Sequence, residues 1–164
     1  MSDFANLVDG GRQLGPLVRE ALAGLPDPVL APAIPNGVPV VVGILESLAL
    51  PVEPLPVQRS DAGALVSVPG SLAGRTVIVV DDGVETGTVA RAALVALRQA
   101  GAGTVVLAVP VCPQEAMADL QHGYDQIVSV VRPPARRDLA WHYADFDTID
   151  EAEALRLLES MPGE

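Results

Sequence analysis

The chain contains no lysine, and all ten of its basic residues are arginine. This absence excludes reactions that need a side-chain amine, such as Schiff-base catalysis. It also excludes Walker-type nucleotidases, which bind phosphate with a Gly-Lys-Ser/Thr motif, and response-regulator receiver domains, which need a lysine near their acidic pair. A dinucleotide site is excluded as well, because Asn36-Gly37 does not supply the Gly-x-Gly-x-x-Gly motif after the first predicted strand.

Positive charge is scarce in the chain as a whole. There are 21 acidic residues against 10 basic ones, which gives a net charge of −11. A protein with this balance repels the phosphate backbone of nucleic acids and the surface of anionic membranes. We therefore expect neither nucleic acid nor a membrane as a partner.

Paired cysteines and long apolar runs are also missing. The one cysteine, Cys112, cannot form an internal disulfide, and its place after an apolar run is typical of a small packed residue. There is no run of about 18 apolar residues that would predict a membrane helix. A length of 164 residues suits one domain, residues 1–164. We expect a single-domain cytoplasmic protein.

Hydrophobic periodicity predicts an alternation of helices and strands. Helices are predicted at residues 9–25, 38–50, 88–100, 113–120 and 150–158. Strands are predicted at residues 29–34, 52–57, 76–80, 105–109 and 126–131, with a further short strand at 64–68. This order indicates an α/β fold, a doubly wound parallel sheet with flanking helices.

The strongest functional signal follows the predicted strand 76–80. The strand ends in Asp81 and Asp82, and a loop with Thr86-Gly87-Thr88 then leads into a helix. Ligands of parallel sheets bind beyond the carboxyl ends of the strands, and free N–H groups at a helix start favour an anion. The carboxylates Asp81, Asp82 and Glu85 would repel a phosphate, so they suit sugar hydroxyls or Mg²⁺. The loop as a whole therefore suits a sugar phosphate.

This loop resembles the signature with which type I phosphoribosyltransferases bind phosphoribosyl pyrophosphate (PRPP). The resemblance implies that Asp81 and Asp82 hold the ribose hydroxyls and Mg²⁺, that the following loop cradles the 5′-phosphate, and that Asn36-Gly37 contacts pyrophosphate. Glu85 stands where purine-salvage members carry a general base. The implied binding residues are Asn36, Gly37, Asp81, Asp82, Gly83, Val84, Glu85, Thr86, Gly87, Thr88 and Val89.

Segments near both ends of the chain also resemble small bacterial members of this family. They are Asp9-Gly10-Gly11-Arg12-Gln13-Leu14, Trp141-His142-Tyr143-Ala144-Asp145-Phe146 and Asp150-Glu151. Two departures concern the active site. Pro35-Asn36-Gly37-Val38 replaces the usual Arg-Gly-Gly loop, and the family's basic hood corresponds to residues 58–72, where Arg59 is the one cation. The hood is therefore reduced.

The resemblance implies an Mg²⁺-assisted transfer of phosphoribosyl from PRPP, or binding of a nucleoside 5′-monophosphate, by a homodimer. An alternative is a non-catalytic ligand-binding or regulatory protein that has lost the leaving-group machinery, and another is a purely structural subunit. Local alternatives also stay open. One local alternative is that Asp81 or Asp82 only caps the following helix, and another is that Glu85 is a solvated loop residue.

Overall fold

The computed structural model describes residues 2–161. Its helices are α1 (Leu7–Ala21), α2 (Gly37–Ile44), α3 (Thr88–Gln99), α4 (Gln114–Leu120) and α5 (Glu151–Glu159), with a 3₁₀ helix at Leu139–His142. Its strands are β1 (Pro28–Pro32), β2 (Val57–Ser60), β3 (Gly63–Val66), β4 (Thr76–Val80), β5 (Thr104–Val111) and β6 (Gln126–Val131). Within residues 2–161, no helix combines the length and apolar character that crossing a membrane requires.

Four strands form a parallel sheet in the order β1-β4-β5-β6. Residues 51–55 run parallel to β1 on its other side, through isolated pairs of Leu30 with Val52 and of Ala33 with Leu55. The chain therefore leaves β1 toward one side and returns to place β4 on the other. This reversal confirms the predicted doubly wound sheet, and the carboxyl ends of β1 and β4 flank the reversal point.

Helices cover both faces of the sheet and bury its central strands. All five residues of β4 are buried. Ile78 and Val80 pack in a core cluster with α1 and α2, whereas Val77 and Val79 pack in a second cluster with α3. A strand that is covered on both faces favours apolar side chains on both, which is why four of the five residues of β4 are valine or isoleucine.

The single cysteine lies at the end of β5. Cys112 is buried, and this burial raises the pKa of its thiol to about 11. The thiol is therefore protonated at neutral pH and is a poor nucleophile. Cys112 is a packed residue, as its sequence context predicts.

Helices α1 and α2 lie backbone against backbone through glycines. A Cβ atom at Gly11 would overlap the carbonyl oxygen of Val40, and one at Gly43 would overlap the carbonyl oxygen of Val8. These two positions require the absence of a side chain because the atoms in the way belong to the backbone and cannot rotate aside.

The first two helices differ from their predicted bounds. Helix α1 begins at Leu7, two residues early, because the Oδ1 atom of Asn6 accepts a hydrogen bond of 2.8 Å from the N–H of Asp9 and caps the helix. Helix α2 ends at Ile44, whereas the prediction extends to residue 50. Residues 45–50 form turns and an irregular segment that returns the chain to the edge of β1.

The strand predicted at residues 52–57 is wrong as a regular strand. Pro54 and Pro56 have no N–H to donate, so this segment makes only isolated pairs with β1. Regular pairing starts with β2, which forms an antiparallel hairpin with β3. Gly63 of this hairpin approaches Thr88, so the hairpin lies over the beginning of α3. The hairpin overlaps residues 58–72, the segment for which a reduced hood is predicted.

We predict that Gly11→Ala lowers the free energy of unfolding by about 2 kcal/mol or more, because a rigid backbone atom blocks the new methyl group. Alanine is the better helix former, so propensity alone predicts the opposite sign. The matched control is Gly123→Ala, where the new methyl group meets only the end of the Leu94 side chain. Urea unfolding of both variants checks this, and equal losses would contradict it.

Candidate active site

A cavity of about 280 Å³ opens at the carboxyl ends of the central strands. Every residue from Asp81 to Val89 lines it, together with Asn36. Gly37 is not among the described residues that line the cavity; it is buried at the start of α2 against the carbonyl of Val80. The structure thus brings together all but one of the binding residues predicted from the sequence.

Asp81 and Asp82 form a half-buried acidic pair at the end of β4. The Oδ1 atom of Asp81 accepts a hydrogen bond of 2.8 Å from the N–H of Asp82, and Tyr143 donates its hydroxyl to the carbonyl of Asp82 over 2.7 Å. Burial raises the pKa of Asp81 to about 6. Burial, and secondly the charge of Asp81, raise the pKa of Asp82 above its ordinary value. Water therefore solvates the two carboxylates poorly, and the pair favours a ligand that supplies hydroxyls or positive charge.

The other end of the loop is suited to an anion. Gly87 lies in the left-handed region with a φ of 84° and precedes α3, whose first turn contains no acidic residue. The hydroxyls of Thr86 and Thr88 lie 3.1 Å apart. The first N–H groups of a helix have no partner within the helix, so they are available to a phosphate.

A segment near the C-terminus closes one side of the cavity. We call residues 138–149 the closing segment; its residues Leu139, Phe146 and Thr148 line the cavity. The sequence alone predicts no role for these three residues. The aromatic cluster around Tyr143 was the available signal, because the Tyr143 ring lies 5.3 Å from the rings of both Phe4 and Phe146.

Three hydrogen bonds attach the closing segment to the predicted site residues. The N–H of Leu139 donates to Oε1 of Glu85 over 3.0 Å, and the N–H of Ile149 donates to Oδ1 of Asn36 over 3.0 Å. The third is the bond from Tyr143 to the carbonyl of Asp82. The side chains of Glu85 and Asn36 therefore each hold part of the wall in place, in addition to any contact with a ligand.

Arg59, for which the sequence predicts no ligand contact, lies at the site. It lines the cavity and a smaller adjoining cavity of about 70 Å³. Among residues 2–161 it is the one cationic side chain that lines either cavity, and its charge partly offsets the raised pKa values of Asp81 and Asp82. Arg59 pairs with Ala64 across the hairpin, so their side chains lie on the same face. Val66 lies on that face too, and it packs into the core.

A metal site made by the protein alone is not present among residues 2–161, where no three His, Cys, Asp or Glu side chains form a metal-binding group. His142 is buried and bonded to Asp3 over 2.7 Å. Mg²⁺ is commonly bound through one or two carboxylates together with waters and substrate phosphates. Asp81 and Asp82, whose charges are poorly solvated, fit that arrangement.

Comparisons with known proteins show which proteins this chain is similar to. No protein-family model matches the chain. Two curated proteins from Mycobacterium tuberculosis strains CDC 1551 and H37Rv, both named as candidate phosphoribosyl transferases, are 34% identical over 88 residues. That match covers 54% of this chain and 20% of each relative. The chain therefore matches only about a fifth of the length of these relatives.

Solved structures share the fold over most of the chain. A protein from Thermus thermophilus superposes with a TM-score of 0.81 at 24% identity, covering 99% of this chain and 100% of that one. The orotate phosphoribosyltransferase of Mycobacterium tuberculosis H37Rv, in complex with inorganic phosphate, superposes with a TM-score of 0.55 at 25% identity. The match covers 74% of this chain and 69% of that one. A hypothetical protein from Neisseria gonorrhoeae with bound ppGpp superposes with a TM-score of 0.61 at 19% identity. The match covers 94% of this chain and 92% of that one.

The chain has the fold of the type I phosphoribosyltransferases, and over about half of its length its sequence is similar to that of two candidate phosphoribosyl transferases. Its central parallel sheet with flanking helices is the fold of that family. This likeness concerns the fold and part of the sequence. The substrate and the activity depend on the site itself.

We predict that replacing both acidic residues, Asp81→Asn and Asp82→Asn, stabilises the protein at pH 7.5 by on the order of 1–3 kcal/mol. Carboxyls whose pKa values rise on folding contribute most stability below their ordinary pKa, near 4. That contribution is lost as the pH rises through about 6. The gain of the variant should therefore shrink when the pH falls to 4.5.

Urea unfolding at both pH values measures this difference. Asp61→Asn, at an exposed hairpin position, is the control for the change in net charge. A gain that does not depend on pH, or a variant that is less stable than wild type at pH 7.5, would contradict the desolvation of the pair.

Proposed function

We propose that this chain binds the phosphoribosyl group of PRPP or of a nucleoside 5′-monophosphate, and that it transfers this group to a nitrogenous base with release of pyrophosphate. One observation carries the proposal: the acidic pair and the start of α3 lie at opposite ends of one loop that lines one cavity. A sugar phosphate likewise has hydroxyls at one end and an anion at the other. Its two ends match the two ends of the loop.

The acidic pair is assigned to the ribose hydroxyls. Asp81 and Asp82 are poorly solvated, so a hydroxyl that donates to them replaces hydrogen bonds that water supplies only in part. A phosphate in the same place would be repelled by both charges. The phosphate is therefore assigned to residues 86–89, where Gly87, Thr88 and Val89 present N–H groups.

Mg²⁺ is proposed as the cofactor, with Asp81 and Asp82 as its protein contacts. When bound, the ion neutralises negative charge that develops on the departing pyrophosphate. Among the cavity-lining residues described, Arg59 is the protein's own cation for this charge. Asn36 is assigned to the pyrophosphate through its side-chain Nδ2 group, because its Oδ1 atom accepts the N–H of Ile149. Gly37, which the sequence also predicts there, lies outside the cavity lining and donates its N–H to the carbonyl of Ala33.

Glu85 is proposed to receive the proton of the acceptor base. Its Oε1 atom accepts the N–H of Leu139, which leaves Oε2 to accept a hydrogen from a base N–H. As the nitrogen of the base bonds to the anomeric carbon, the bond from that carbon to pyrophosphate breaks and the base proton passes to Glu85. Leu139 and Phe146 provide an apolar wall of the kind that heterocycles bind against.

A second candidate function is binding of a nucleotide without turnover. It is favoured by the lack of a cationic side chain at position 36, where this family usually has arginine, and by the engagement of Asn36 with Ile149. The structural neighbour from Neisseria gonorrhoeae has ppGpp bound, which supports binding of a nucleotide on this fold. In this case the ribose-phosphate site is the same and only the leaving-group chemistry is absent.

Assembly and location belong to the same proposal. We propose a homodimer in the cytoplasm, with residues 1–164 as one domain. The apolar composition, 49% hydrophobic residues, and the resemblance to the family support a dimer. Analytical ultracentrifugation measures the mass of the particle, and a monomer at all concentrations would contradict the dimer.

Calorimetry tests the function. Each ligand is titrated separately into the protein: PRPP together with Mg²⁺, ribose 5-phosphate, AMP, GMP and UMP. We expect binding of ribose 5-phosphate in the wild type and its loss in the Asp81→Ala/Asp82→Ala variant, because the ribose hydroxyls lose their acceptors. Unchanged affinity in a folded variant would contradict the site. Release of pyrophosphate with any base distinguishes the transferase from the second candidate, for which no base gives turnover.

We also predict that Arg59→Gln weakens binding of PRPP with Mg²⁺ about tenfold and leaves ribose 5-phosphate within about twofold, because a charge contact to the pyrophosphate is lost. Arg19→Gln, at an exposed position on α1, is the matched control for the change in charge. Calorimetry of the two variants measures the effect. Equal weakening of both ligands by Arg59→Gln would place Arg59 at the 5′-phosphate instead.

A further inference from the structure

Arg91 lies behind the phosphate end of the loop and outside the cavity lining. Arg91 lies in the first turn of α3, and its Nη2 atom donates to the carbonyl oxygen of Thr86 over 2.9 Å. Its Nη1 atom donates to Oδ2 of Asp119, on α4, over 3.1 Å. One guanidinium thus joins the loop to a neighbouring helix.

The loop approaches this guanidinium closely because Gly87 has no side chain. A Cβ atom at Gly87 would lie 2.7 Å from Nη1 of Arg91. Gly87 lines the cavity, and Arg91 is not among the described residues that do. The glycine backbone therefore separates the guanidinium on one side from the cavity on the other.

The hydrogen bond from Arg91 to the carbonyl of Thr86 fixes the orientation of the peptide bond between Thr86 and Gly87. In a planar trans peptide the C=O and the N–H point in opposite directions. Because the carbonyl of Thr86 is held toward Arg91, the N–H of Gly87 is turned away from Arg91, to the side of the cavity. A carbonyl turned the other way would place a negative partial charge where the phosphate is proposed to bind.

We propose that Arg91 is a positioning residue for the phosphate, which it does not touch. The inference rests on the proposed function and adds a residue that acts through the loop backbone. The ion pair alone does not account for the arrangement, because the side chains of Arg91 and Asp119 are 50% and 63% exposed and such pairs contribute little to stability. The bond that matters is the charge-assisted one to the carbonyl of Thr86.

Three variants test this role: Arg91→Gln, Arg91→Lys and Asp119→Asn. The first removes the charge that holds the carbonyl, the second restores a charge with a single donor group, and the third removes the ion pair but keeps the bond to Thr86. For each variant we would measure the affinity for ribose 5-phosphate, the free energy of unfolding and the hydrogen exchange of the amides of Gly87, Thr88 and Val89.

We expect Arg91→Gln to weaken ribose 5-phosphate about tenfold, to speed exchange of the three loop amides and to leave the free energy of unfolding close to that of wild type. Arg91→Lys should recover part of the affinity, and Asp119→Asn should lose no more than about threefold. A ligand affinity in Arg91→Gln equal to wild type, or a loss of affinity that tracks a loss of stability, would overturn the inference.

The failure of the proposed function gives a different result. If the wild type itself binds neither ribose 5-phosphate nor PRPP, the proposed function is wrong and the inference fails with it. If the wild type binds ribose 5-phosphate and Arg91→Gln binds it equally well, only the role of Arg91 is wrong.

Discussion

The burial of β4 on both faces is the constraint on which the site depends. Because α1 and α2 cover one face and α3 the other, each residue from Thr76 to Val80 is apolar or fully enclosed. The strand ends at Val80, and Asp81 and Asp82 follow directly where the enclosed part of the sheet meets the cavity. Its rigid frame holds the two carboxylates where solvent reaches them poorly, which raises their pKa values and makes them acceptors in need of donors.

The remaining parts of the site are attached to this strand end from separate regions of the chain. The closing segment is tied to Asp82, Glu85 and Asn36 by one hydrogen bond each. The hairpin brings Arg59 to the lining of the same cavity. The result is a cavity with acidic, cationic and apolar walls in different places, which suits a ligand with chemically different ends.

The local parts of this arrangement could be predicted from the sequence, and the tertiary parts could not. The apolar run, the acidic pair and the Thr-Gly loop are adjacent in the chain, so their order identifies strand, site and helix together. Arg59 reaches the cavity only through the register of the hairpin, and Leu139 only through the packing of the closing segment. Proline ended regular pairing at residues 52–57, where apolar character alone predicted a strand.

The central claim is that the loop from Asp81 to Val89 binds a ribose phosphate in one orientation. A crystal structure of the protein with ribose 5-phosphate tests it most directly. The account predicts the ribose hydroxyls within hydrogen-bond distance of Asp81 and Asp82, and the phosphate at the N–H groups of Gly87, Thr88 and Val89. A sugar phosphate bound elsewhere, or bound with its phosphate toward the acidic pair, would contradict it.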